Sequence, residues 1–496
     1  MAHNLGTLID LPTTASKTLL IDCRNAHAPV SWDGAAIESQ SDAVARGLIK
    51  RGLQPGDRVA IVAANRAEYL TAYYGIMRAG LVAVPVNTRL PAETVRYVLA
   101  DSGAKFAFVD DARAELCPAE LATVNFDHAD FQALLDPGEF EAHEPSAEEV
   151  AMFLYTSGST GHPKGVPLTH AGHRWVIEKR IQKTVDYSQE RLLVAAPLYH
   201  MNALAIAKFA AFVGATIVLL PEFTAPRYIK AIEQFRCTWL TSVPTMLAKV
   251  TQEPELLATT DLSSVTSVRM GSAPVTASLI GKLKEVFIGA RIQLGYGTTE
   301  AGPVGFVPHP NGIATPMLAL GVADPDVEIR LCDADGNGTN PGVLEIKCQA
   351  LTPGYHNLPE KTASVMTADG FYRTGDVMQC DADGFYSFVG RDDDMFVCNG
   401  ENVFPEEVER LIESHEAVAQ ACVVPVVDDV RGHMPVAFVV LTHGATLTVD
   451  ALKQYTIANG PAYQHPRRVF FADELPLAGT NKIDRNLLAK QAAQRL

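Results

Sequence analysis

Apolar and polar positions along the chain follow a repeating arrangement in which short apolar runs alternate with longer helix-like segments. The apolar runs are rich in β-branched residues, as buried strands usually are. Strands that alternate with helices are typical of βα units, in which neighbouring strands run parallel. The pattern therefore predicts largely parallel sheets, with strands at residues 58–63, 81–85, 106–109, 192–196, 216–220 and 239–243.

The pattern changes after about residue 315, where Gly/Asp turns separate short strands. Such turns predict a smaller antiparallel or barrel-like part. From Phe404 onward a separate α+β pattern predicts a C-terminal domain. Its helices are expected at residues 405–415, 449–458 and 485–495, and its strands at 419–427, 435–441 and 467–471. The polar run 390–394 marks the boundary, which gives domains 1–391 and 392–496.

Composition narrows the classes of function. Of the 496 residues, 41 are Lys or Arg and 57 are Asp or Glu, so the net charge is −16 and a nucleic acid is excluded as a partner. The eight cysteines are far apart and have no zinc-site spacing, and the sequence has no recognisable signal peptide, which predicts a reduced cytoplasmic location. The apolar stretch 203–220 approaches the length of a membrane span, but Gly214 divides it into a helix-like and a strand-like part. No membrane span is therefore predicted.

A loop rich in glycine and hydroxyl groups lies between residues 155 and 165. Glycine lets backbone N–H groups approach an anion closely, and hydroxyl groups and a lysine add donors to phosphate oxygens. The loop has neither the Walker pattern nor the GxGxxG pattern, and a mobile surface connection is the structural alternative. The candidate phosphate-binding residues are Thr156, Ser157, Gly158, Ser159, Thr160, Gly161 and Lys164.

Four later motifs carry further groups suited to a nucleotide. Tyr296 offers a face to a base, and Glu300 offers a carboxylate to a magnesium ion. Asp376 could accept both hydroxyls of a ribose, Arg391 could donate to the ribose or a phosphate, and Lys482 lies near the end of the chain. Taken singly, each has a structural alternative as a core aromatic, a turn carboxylate or a surface charge.

In this order the motifs resemble those of the adenylate-forming superfamily of acyl-CoA synthetases, adenylation domains and luciferases. The resemblance extends from residues 51–58 to Lys482 and is strongest to aryl- and acyl-CoA ligases of the benzoate, chlorobenzoate and hydroxycinnamate types, through residues 197–200, 297–301, 400–403 and 481–483. It implies an α/β fold: a large N-terminal domain of two αβ-layered sheets and a small β-barrel-like part, then a mobile α+β C-terminal domain with the catalytic lysine. It also implies a two-step reaction, in which ATP and Mg²⁺ activate a carboxylic acid as an acyl-adenylate and coenzyme A then displaces AMP.

The resemblance assigns a role to each matching residue. Lys482 would bridge the acid and the α-phosphate, Thr299 would contact the α-phosphate, and Glu300 would hold magnesium. Asp376 and Arg391 would bind the ribose. The residues expected around the adenine and the rest of the nucleotide are Gly271, Ser272, Ala273, Tyr296, Gly297 and Thr298.

Three further residues are expected to serve the second step. Asp393 matches the hinge about which the C-terminal domain rotates, although an exposed linker carboxylate is the alternative. Gly400 would allow close approach of the pantetheine. His200 would line the junction of the acyl and thiol sites without transferring a proton, whereas His170 would brace the phosphate loop.

The family map also yields candidate walls for the acid: Met201, Asn202, Val243, Met246, Met270, Gly295, Gly302 and Pro303. These residues are mainly apolar or small, and they include no arginine or lysine to meet a second carboxylate, so dicarboxylates are disfavoured. An aromatic acid is favoured, and packing in the core is the alternative for the methionines. Three alternatives stay open: a medium-chain fatty acyl-CoA synthetase, a stand-alone adenylation enzyme that loads a carrier-protein thiol, and a non-catalytic nucleotide-binding protein. A homodimer is also left open.

Overall fold

A computed structural model describes residues 4–156, 162–182, 185–273, 275–399, 401–428, 432–461, 463–478 and 483–495. Of the predicted site residues, Ser157, Gly158, Ser159, Thr160, Gly161, Gly400 and Lys482 lie outside these ranges. Within the described ranges, no helix has the length and apolar character that crossing a bilayer requires.

The strands in chain order begin with those of the two large sheets. They are β1 (Thr18–Asp22), β2 (Val30–Asp33), β3 (Arg58–Val62), β4 (Val82–Pro85), β5 (Ala104–Val109), β6 (Ala122–Asn125), β7 (Val150–Thr156), β8 (Lys164–Thr169), β9 (Arg191–Val194), β10 (Thr216–Leu219), β11 (Trp239–Ser242), β12 (Ser267–Gly271) and β13 (Arg291–Gly295). The later strands are β14 (Phe306–Val307), β15 (Ala319–Ala323), β16 (Glu328–Cys332), β17 (Gly342–Lys347), β18 (Tyr372–Cys380), β19 (Tyr386–Arg391), β20 (Phe396–Cys398), β21 (Glu401–Val403), β22 (Val418–Asp428), β23 (Gly432–Leu441) and β24 (Arg468–Phe471).

The described α-helices connect these strands. They are α1 (Leu11–Thr14), α2 (Gly34–Lys50), α3 (Ala67–Arg78), α4 (Ala92–Asp101), α5 (Ala129–Leu134), α6 (His170–Lys179), α7 (Met201–Val213), α8 (Ala225–Phe235), α9 (Pro244–Val250), α10 (Pro254–Thr259), α11 (Ala277–Val286), α12 (Pro359–Val365), α13 (Pro405–Glu413), α14 (Val449–Asn459) and α15 (Arg485–Arg495).

Two mainly parallel sheets form the larger part of the molecule. Their strand orders are β13-β12-β11-β9-β10-β1-β2 and β6-β5-β3-β4-β7-β8, with β2 and β8 antiparallel to their neighbours. One hydrophobic core joins residues of both sheets with helices α2, α3 and α7. Helices α3 and α7 are buried along most of their length. This is expected of helices with apolar side chains on nearly every face.

The predicted division of the apolar stretch 203–220 is confirmed. Helix α7 ends at Gly214, whose φ of 66° lies in the left-handed region, and β10 follows. Glycine adopts this conformation without the steric cost of a Cβ atom, so it commonly ends helices.

The rest of the chain forms two smaller sheets. The antiparallel sheet β14-β15-β19-β18-β17-β16 corresponds to the predicted barrel-like part. The C-terminal sheet has the order β21-β20-β23-β22, with β24 beside β23, and helices α13 to α15 accompany it. In this arrangement Arg410 of α13 donates to the carbonyl oxygens of Phe388 and Val389 at 2.8 and 2.9 Å, which joins the C-terminal sheet's first helix to β19.

Candidate active site

The candidate site begins at the carboxyl ends of β12 and β13. Gly271 and Gly295 are paired at these ends, and a Cβ atom on Gly271 would lie 2.6 Å from the carbonyl oxygen of Gly295. Glycine is therefore required at position 271. Ser272 follows with a φ of 69°, which turns the chain into the segment expected beside the adenine.

A turn after β13 brings the next motif together. Thr298 and Gly302 form an isolated antiparallel bridge, and the Thr298 hydroxyl accepts a hydrogen bond from the Ala301 N–H at 3.0 Å. A Cβ atom on Gly297 would lie 2.3 Å from Cα of Pro303, so only glycine fits there. The turn leaves Thr299 half-buried and Glu300 buried.

Tyr296, Asp376 and Arg391 form one connected group. The Tyr296 hydroxyl donates to Oδ2 of Asp376 at 2.6 Å, and Nη1 of Arg391 lies 2.9 Å from Oδ1 of the same carboxylate. Asp376 and Arg391 are partners on β18 and β19. Burial and the charge of Asp376 raise the pKa of Tyr296 well above its usual value, so the phenol stays a donor. The carboxylate is thus held in one orientation.

Arg391 also binds the predicted hinge residue. Its Nε and Nη2 atoms lie 2.9 and 3.2 Å from the two carboxylate oxygens of Asp393. Burial lowers the pKa of Arg391, but Asp393 and Asp376 outweigh it and raise that pKa above its usual value. For Asp393, burial raises the pKa, and pairing with Arg391 brings it below the usual range. One guanidinium group therefore connects the predicted ribose carboxylate to the predicted hinge.

Glu300 is held by a tyrosine that the sequence reasoning missed. The Tyr355 hydroxyl donates to Oε1 of Glu300 at 2.8 Å. Nζ of Lys164 lies 3.5 Å from the same hydroxyl oxygen and 4.5 Å from the centre of the Tyr355 ring. Burial lowers the pKa of Lys164, although Glu300 opposes the shift. The only signal for Tyr355 was its place in a Pro-Gly-Tyr turn, which carries no chemistry by itself.

The two ends of the predicted phosphate loop are adjacent. Thr156 and Lys164 are partners across the antiparallel strands β7 and β8. The hydroxyl oxygen of Thr156 is buried and has no hydrogen-bond partner in the described part of the chain. A buried hydroxyl without a partner is costly, so this oxygen is suited to a ligand.

His200 and the candidate acid walls lie around the start of α7. His200 is the N-cap residue of this helix, and its ring lies 4.6 Å from that of Tyr199. Met201 is half-buried, and Oδ1 of Asn202 accepts a hydrogen bond from the Thr241 hydroxyl at 3.1 Å. Gly295 is the last residue of β13, and Gly302 and Pro303 belong to the turn that follows this strand. Val243, Met246 and Met270 are buried in the hydrophobic core on the other face of the sheet, so they agree better with the alternative of core packing.

Two contacts in this region were not foreseen from the sequence. Nδ1 of His170 accepts a hydrogen bond from the backbone N–H of Leu5 at 3.1 Å, so this buried histidine holds the N-terminal segment. Its expected role beside the phosphate loop stays a prediction, because residues 157–161 lie outside the described ranges. The candidate walls also have a cation beside them: the Arg269 guanidinium lies against Gly295, with Nε 2.9 Å from the position a Cβ atom would occupy. Arg269 was missed because its strand reads as an ordinary buried β segment.

The fold and the site together define a class of nucleotide-binding α/β enzyme with a separate C-terminal sheet. The sequence model for the AMP-binding enzyme family matches residues 13–356, and the model for the AMP-binding enzyme C-terminal domain matches residues 407–482. The chain belongs to this family, and the resemblance predicted from its motifs is confirmed.

Related sequences and solved structures support the same family membership. A feruloyl-CoA synthase from Amycolatopsis sp is 33% identical over 469 residues, covering 92% of this chain and 93% of the relative. A 4-coumarate–CoA ligase from Petroselinum crispum is 30% identical over 510 residues, covering 98% of this chain and 93% of the relative. The crystal structure of an anthranilate CoA ligase in complex with anthranoyl-AMP superposes with a TM-score of 0.90 at 26% identity, covering 99% of this chain and 97% of that one. The predicted fold class and enzyme class, an AMP-forming acid–thiol ligase, are confirmed.

Proposed function

We propose that this protein is an ATP-dependent ligase that joins an aromatic carboxylic acid to coenzyme A. In the first step a carboxylate oxygen of the acid attacks the α-phosphorus of ATP, and pyrophosphate leaves with the bonding electron pair. In the second step the sulfur of CoA attacks the acyl carbon, the thiol proton is released, and AMP leaves. A carboxylate is a poor electrophile, whereas its mixed anhydride with AMP is a good one.

The observation that carries the proposal is the orientation of Asp376. Its two oxygens are held by Tyr296 and Arg391, and it lies on β18 beside the turn that supplies the adenine-flanking residues. A carboxylate fixed in this way is ready to accept the two hydroxyls of a ribose without further ordering. This supports the assignment of Asp376 and Arg391 to the ribose, and of Tyr296 and residues 271–273 to the adenine.

Glu300 fits the role of a magnesium ligand. It is a buried carboxylate, Oε1 is held by Tyr355, and in the described part of the chain no hydrogen bond is made to Oε2. Magnesium prefers carboxylate and phosphate oxygens, and when bound it would neutralise charge on the phosphates of ATP. Lys164, Thr156 and the hydroxyl-rich loop between them would hold the β- and γ-phosphates, and Thr299 the α-phosphate.

The first reaction requires two anions to meet, so catalysis depends on positive charge and positioning. We assign that charge to Lys482, which would bridge the attacking carboxylate and the α-phosphate. The C-terminal domain, residues 392–496, would then rotate about Asp393, withdraw Lys482 and present Gly400 to the pantetheine. His200 would line the junction between the acyl and thiol sites.

An aromatic substrate is supported by the relatives, whose names refer to feruloyl, 4-coumarate and anthranilate groups. Met201, Asn202, Gly295 and Gly302 would form its pocket. A cytoplasmic location belongs to the same proposal, because the eight cysteines are unpaired thiols, as is usual in a reducing compartment. A homodimer stays a prediction.

The test is an assay of AMP, pyrophosphate and acyl-CoA with ATP, Mg²⁺, CoA and a panel of benzoic and hydroxycinnamic acids. Acid-dependent formation of AMP and acyl-CoA in equal amounts is expected. Adenylate formation without any use of free CoA would contradict the ligase and indicate a carrier-protein acceptor. Octanoate as a better substrate than every aromatic acid would indicate a medium-chain synthetase.

The role of Lys482 has a separate test. The variant Lys482→Ala should lower acid-dependent pyrophosphate exchange by a factor of about 10² or more, because one positive group at the reacting phosphate is lost. It should retain conversion of a chemically prepared acyl-adenylate to acyl-CoA, because that step does not use the lysine. Lys490→Ala, an exposed lysine on α15, is the matched control. Pyrophosphate exchange at the parent rate in Lys482→Ala would refute the assignment.

A further inference from the structure

Two arginines near helix α6 and strand β12 form no ion pair among the described residues, and one of them lies beside the candidate acid pocket. Arg180 follows helix α6 directly, and its Nε and Nη1 atoms are buried with no hydrogen-bond partner in the ranges that the structure describes. Arg269 is half-buried on β12, and its guanidinium lies against Gly295. In the described part of the chain, neither side chain forms an ion pair with a carboxylate. The only acidic side chain outside that part is Asp429, which belongs to the C-terminal region.

The position of Arg269 directs it toward the acid pocket. Arg269 is paired in register with Thr241 on β11 and with Gln293 on β13, so the three side chains share one face of the sheet. On that face the Thr241 hydroxyl bonds to Asn202 of α7. The residues of β11 and β12 that alternate with these, including Leu240 and Met270, pack in the core on the other face.

Arg180 and Arg269 act on each other and on a buried lysine. Burial, with a smaller contribution from the charge of Arg269, lowers the pKa of Arg180 well below its usual value. Lys208 of α7 is fully buried, and burial together with the charge of Arg180 lowers its pKa to about 7. Nζ of Lys208 lies 3.2 Å from Nδ1 of His173, which belongs to α6. The two guanidinium groups are therefore the main positive charges in the region of α6, α7 and β12.

A buried lysine or histidine can lose its proton and so remove its positive charge, but arginine remains charged in proteins. Desolvated charges without a counterion are expensive, and the carbonyl end of α6 offers Arg180 only about half a negative charge. The two guanidinium groups thus lack a balancing anion within the described part of the protein. An anion that enters the pocket would supply it.

We propose that the acid accepted by this enzyme carries a second carboxylate, which binds between Arg180 and Arg269 beside the candidate acid pocket. This inference rests on the proposed function, because it names the class of acid that the same site takes. The planar donors of arginine match a carboxylate in a bidentate arrangement. The side chain of Asn202, already held by Thr241, lies on the same face of the sheet and adds a neutral polar group beside the ion pair.

The phosphates of ATP are a less suitable occupant of this site. The groups assigned to the phosphates, Lys164 and Glu300, are joined to each other through Tyr355. In the described part of the chain, neither Arg180 nor Arg269 forms a hydrogen bond or an ion pair with that group, and the Arg269 guanidinium lies instead against Gly295 of the candidate acid pocket. The reacting carboxylate must meet ATP, so the arginines are left for a second acidic group.

The experiment compares matched acids in the acyl-CoA assay. One set consists of cinnamic acids with a carboxylate at the ortho, meta or para position and the corresponding carboxamides. Another set consists of succinate, adipate and suberate with their monoamides. We expect kcat/KM for at least one diacid to exceed that of its amide by a factor of about 10 to 10², as for a charge-assisted hydrogen bond. Preference for the amide in every pair would overturn the proposal.

Variants test the assignment to the two arginines. In Arg269→Gln and Arg180→Gln the ratio of kcat/KM for diacid to amide should fall at least tenfold, whereas general damage would lower both values together and leave the ratio unchanged. Arg96→Gln, which removes an exposed charge on α4, should keep the parent ratio. An unchanged ratio in both site variants would contradict the proposal.

Stability provides a second measurement that does not need a substrate. Arg180→Met and Arg269→Met should raise the Tm of the ligand-free protein, because each removes a buried charge without a partner and keeps the apolar stem. A lower Tm in both variants would indicate internal partners and contradict the inference. If neutral aromatic acids are converted and no diacid is, this inference alone fails, whereas conversion of no acid at all would refute the proposed function.

Discussion

The guanidinium group of Arg391 lies 2.9 Å from the carboxylate of Asp376, its partner on the neighbouring strand. The same group binds Asp393 through two further contacts. A change at the predicted hinge can therefore reach the predicted ribose site through one side chain. Replacing Asp376 and replacing Asp393 therefore test the two ends of this connection separately.

Replacing Asp376 tests the ribose assignment. Asp376→Asn should raise KM for ATP by a factor of about 10 to 10², because hydrogen bonds to a charged group contribute about 1.5–3 kcal/mol. Tyr296→Phe is the matched control, since it removes one donor and leaves the carboxylate paired with Arg391. Its effect should be about tenfold or less. Steady-state kinetics with ATP as the varied substrate distinguish the two variants, and a parent KM in Asp376→Asn would rule out the role.

Replacing Glu300 tests the metal assignment. Glu300→Gln keeps an acceptor for the Tyr355 hydroxyl but removes the negative charge that would bind Mg²⁺. We expect pyrophosphate exchange to fall by a factor of about 10² and to require more Mg²⁺ for half-maximal rate. Tyr355→Phe separates orientation from charge, and it should lower the rate with little change in the Mg²⁺ requirement. An unchanged Mg²⁺ titration in Glu300→Gln would show that the ion binds elsewhere.

Restricting the backbone at Asp393 tests the hinge. Asp393→Pro fixes φ near −65°, so a rotation at this residue is prevented. Adenylate formation and thioester formation should then be affected unequally, with at least a tenfold larger loss in the second. Asp393→Asn, which keeps the backbone free and weakens the pairing with Arg391, is the control. Equal losses in both half-reactions of the proline variant would argue against a hinge here.

The C-terminal domain should become less stable as pH rises. Glu413 accepts a hydrogen bond from the Ala421 N–H at 2.7 Å, and burial, with the nearby Glu409, raises the pKa of Glu413 to about 8. Burial likewise raises the pKa of Glu406 to about 7. A carboxyl group whose pKa is higher in the folded state favours folding below its unfolded pKa, and this contribution is lost as pH rises through the folded value. Stability should therefore decrease between about pH 5 and pH 8.

The variant Glu413→Gln isolates this effect, because the amide oxygen can still accept the bond from Ala421. It should stabilise the protein by about 1 kcal/mol or more at pH 8 and by little at pH 5, as measured by denaturant unfolding. Glu416→Gln, an exposed position after the same helix, should show no such pH dependence. A stabilisation of equal size at both pH values would contradict the explanation.

Most secondary structure could be predicted from local patterns. The expected strands at 58–63 and 239–243 are observed as Arg58–Val62 and Trp239–Ser242, and the expected helix at 485–495 is observed as Arg485–Arg495. These elements follow from short apolar runs and from glycine and proline at their ends, which are properties of adjacent residues. The motifs could also be recognised from the sequence, because the residues within each one are close together in the chain.

The sequence by itself determined the alternation of strands and helices, the order of the motifs and the membership of the family, because each depends on neighbouring residues. Only the tertiary structure decided which distant polar groups meet. It placed Tyr355 beside Glu300 and His170 beside Leu5, and among the described residues it gave neither Arg180 nor Arg269 a carboxylate partner. Contacts of this kind depend on how sheets and helices pack. The residues next to an arginine in a strand do not indicate which distant side chains will surround its guanidinium group.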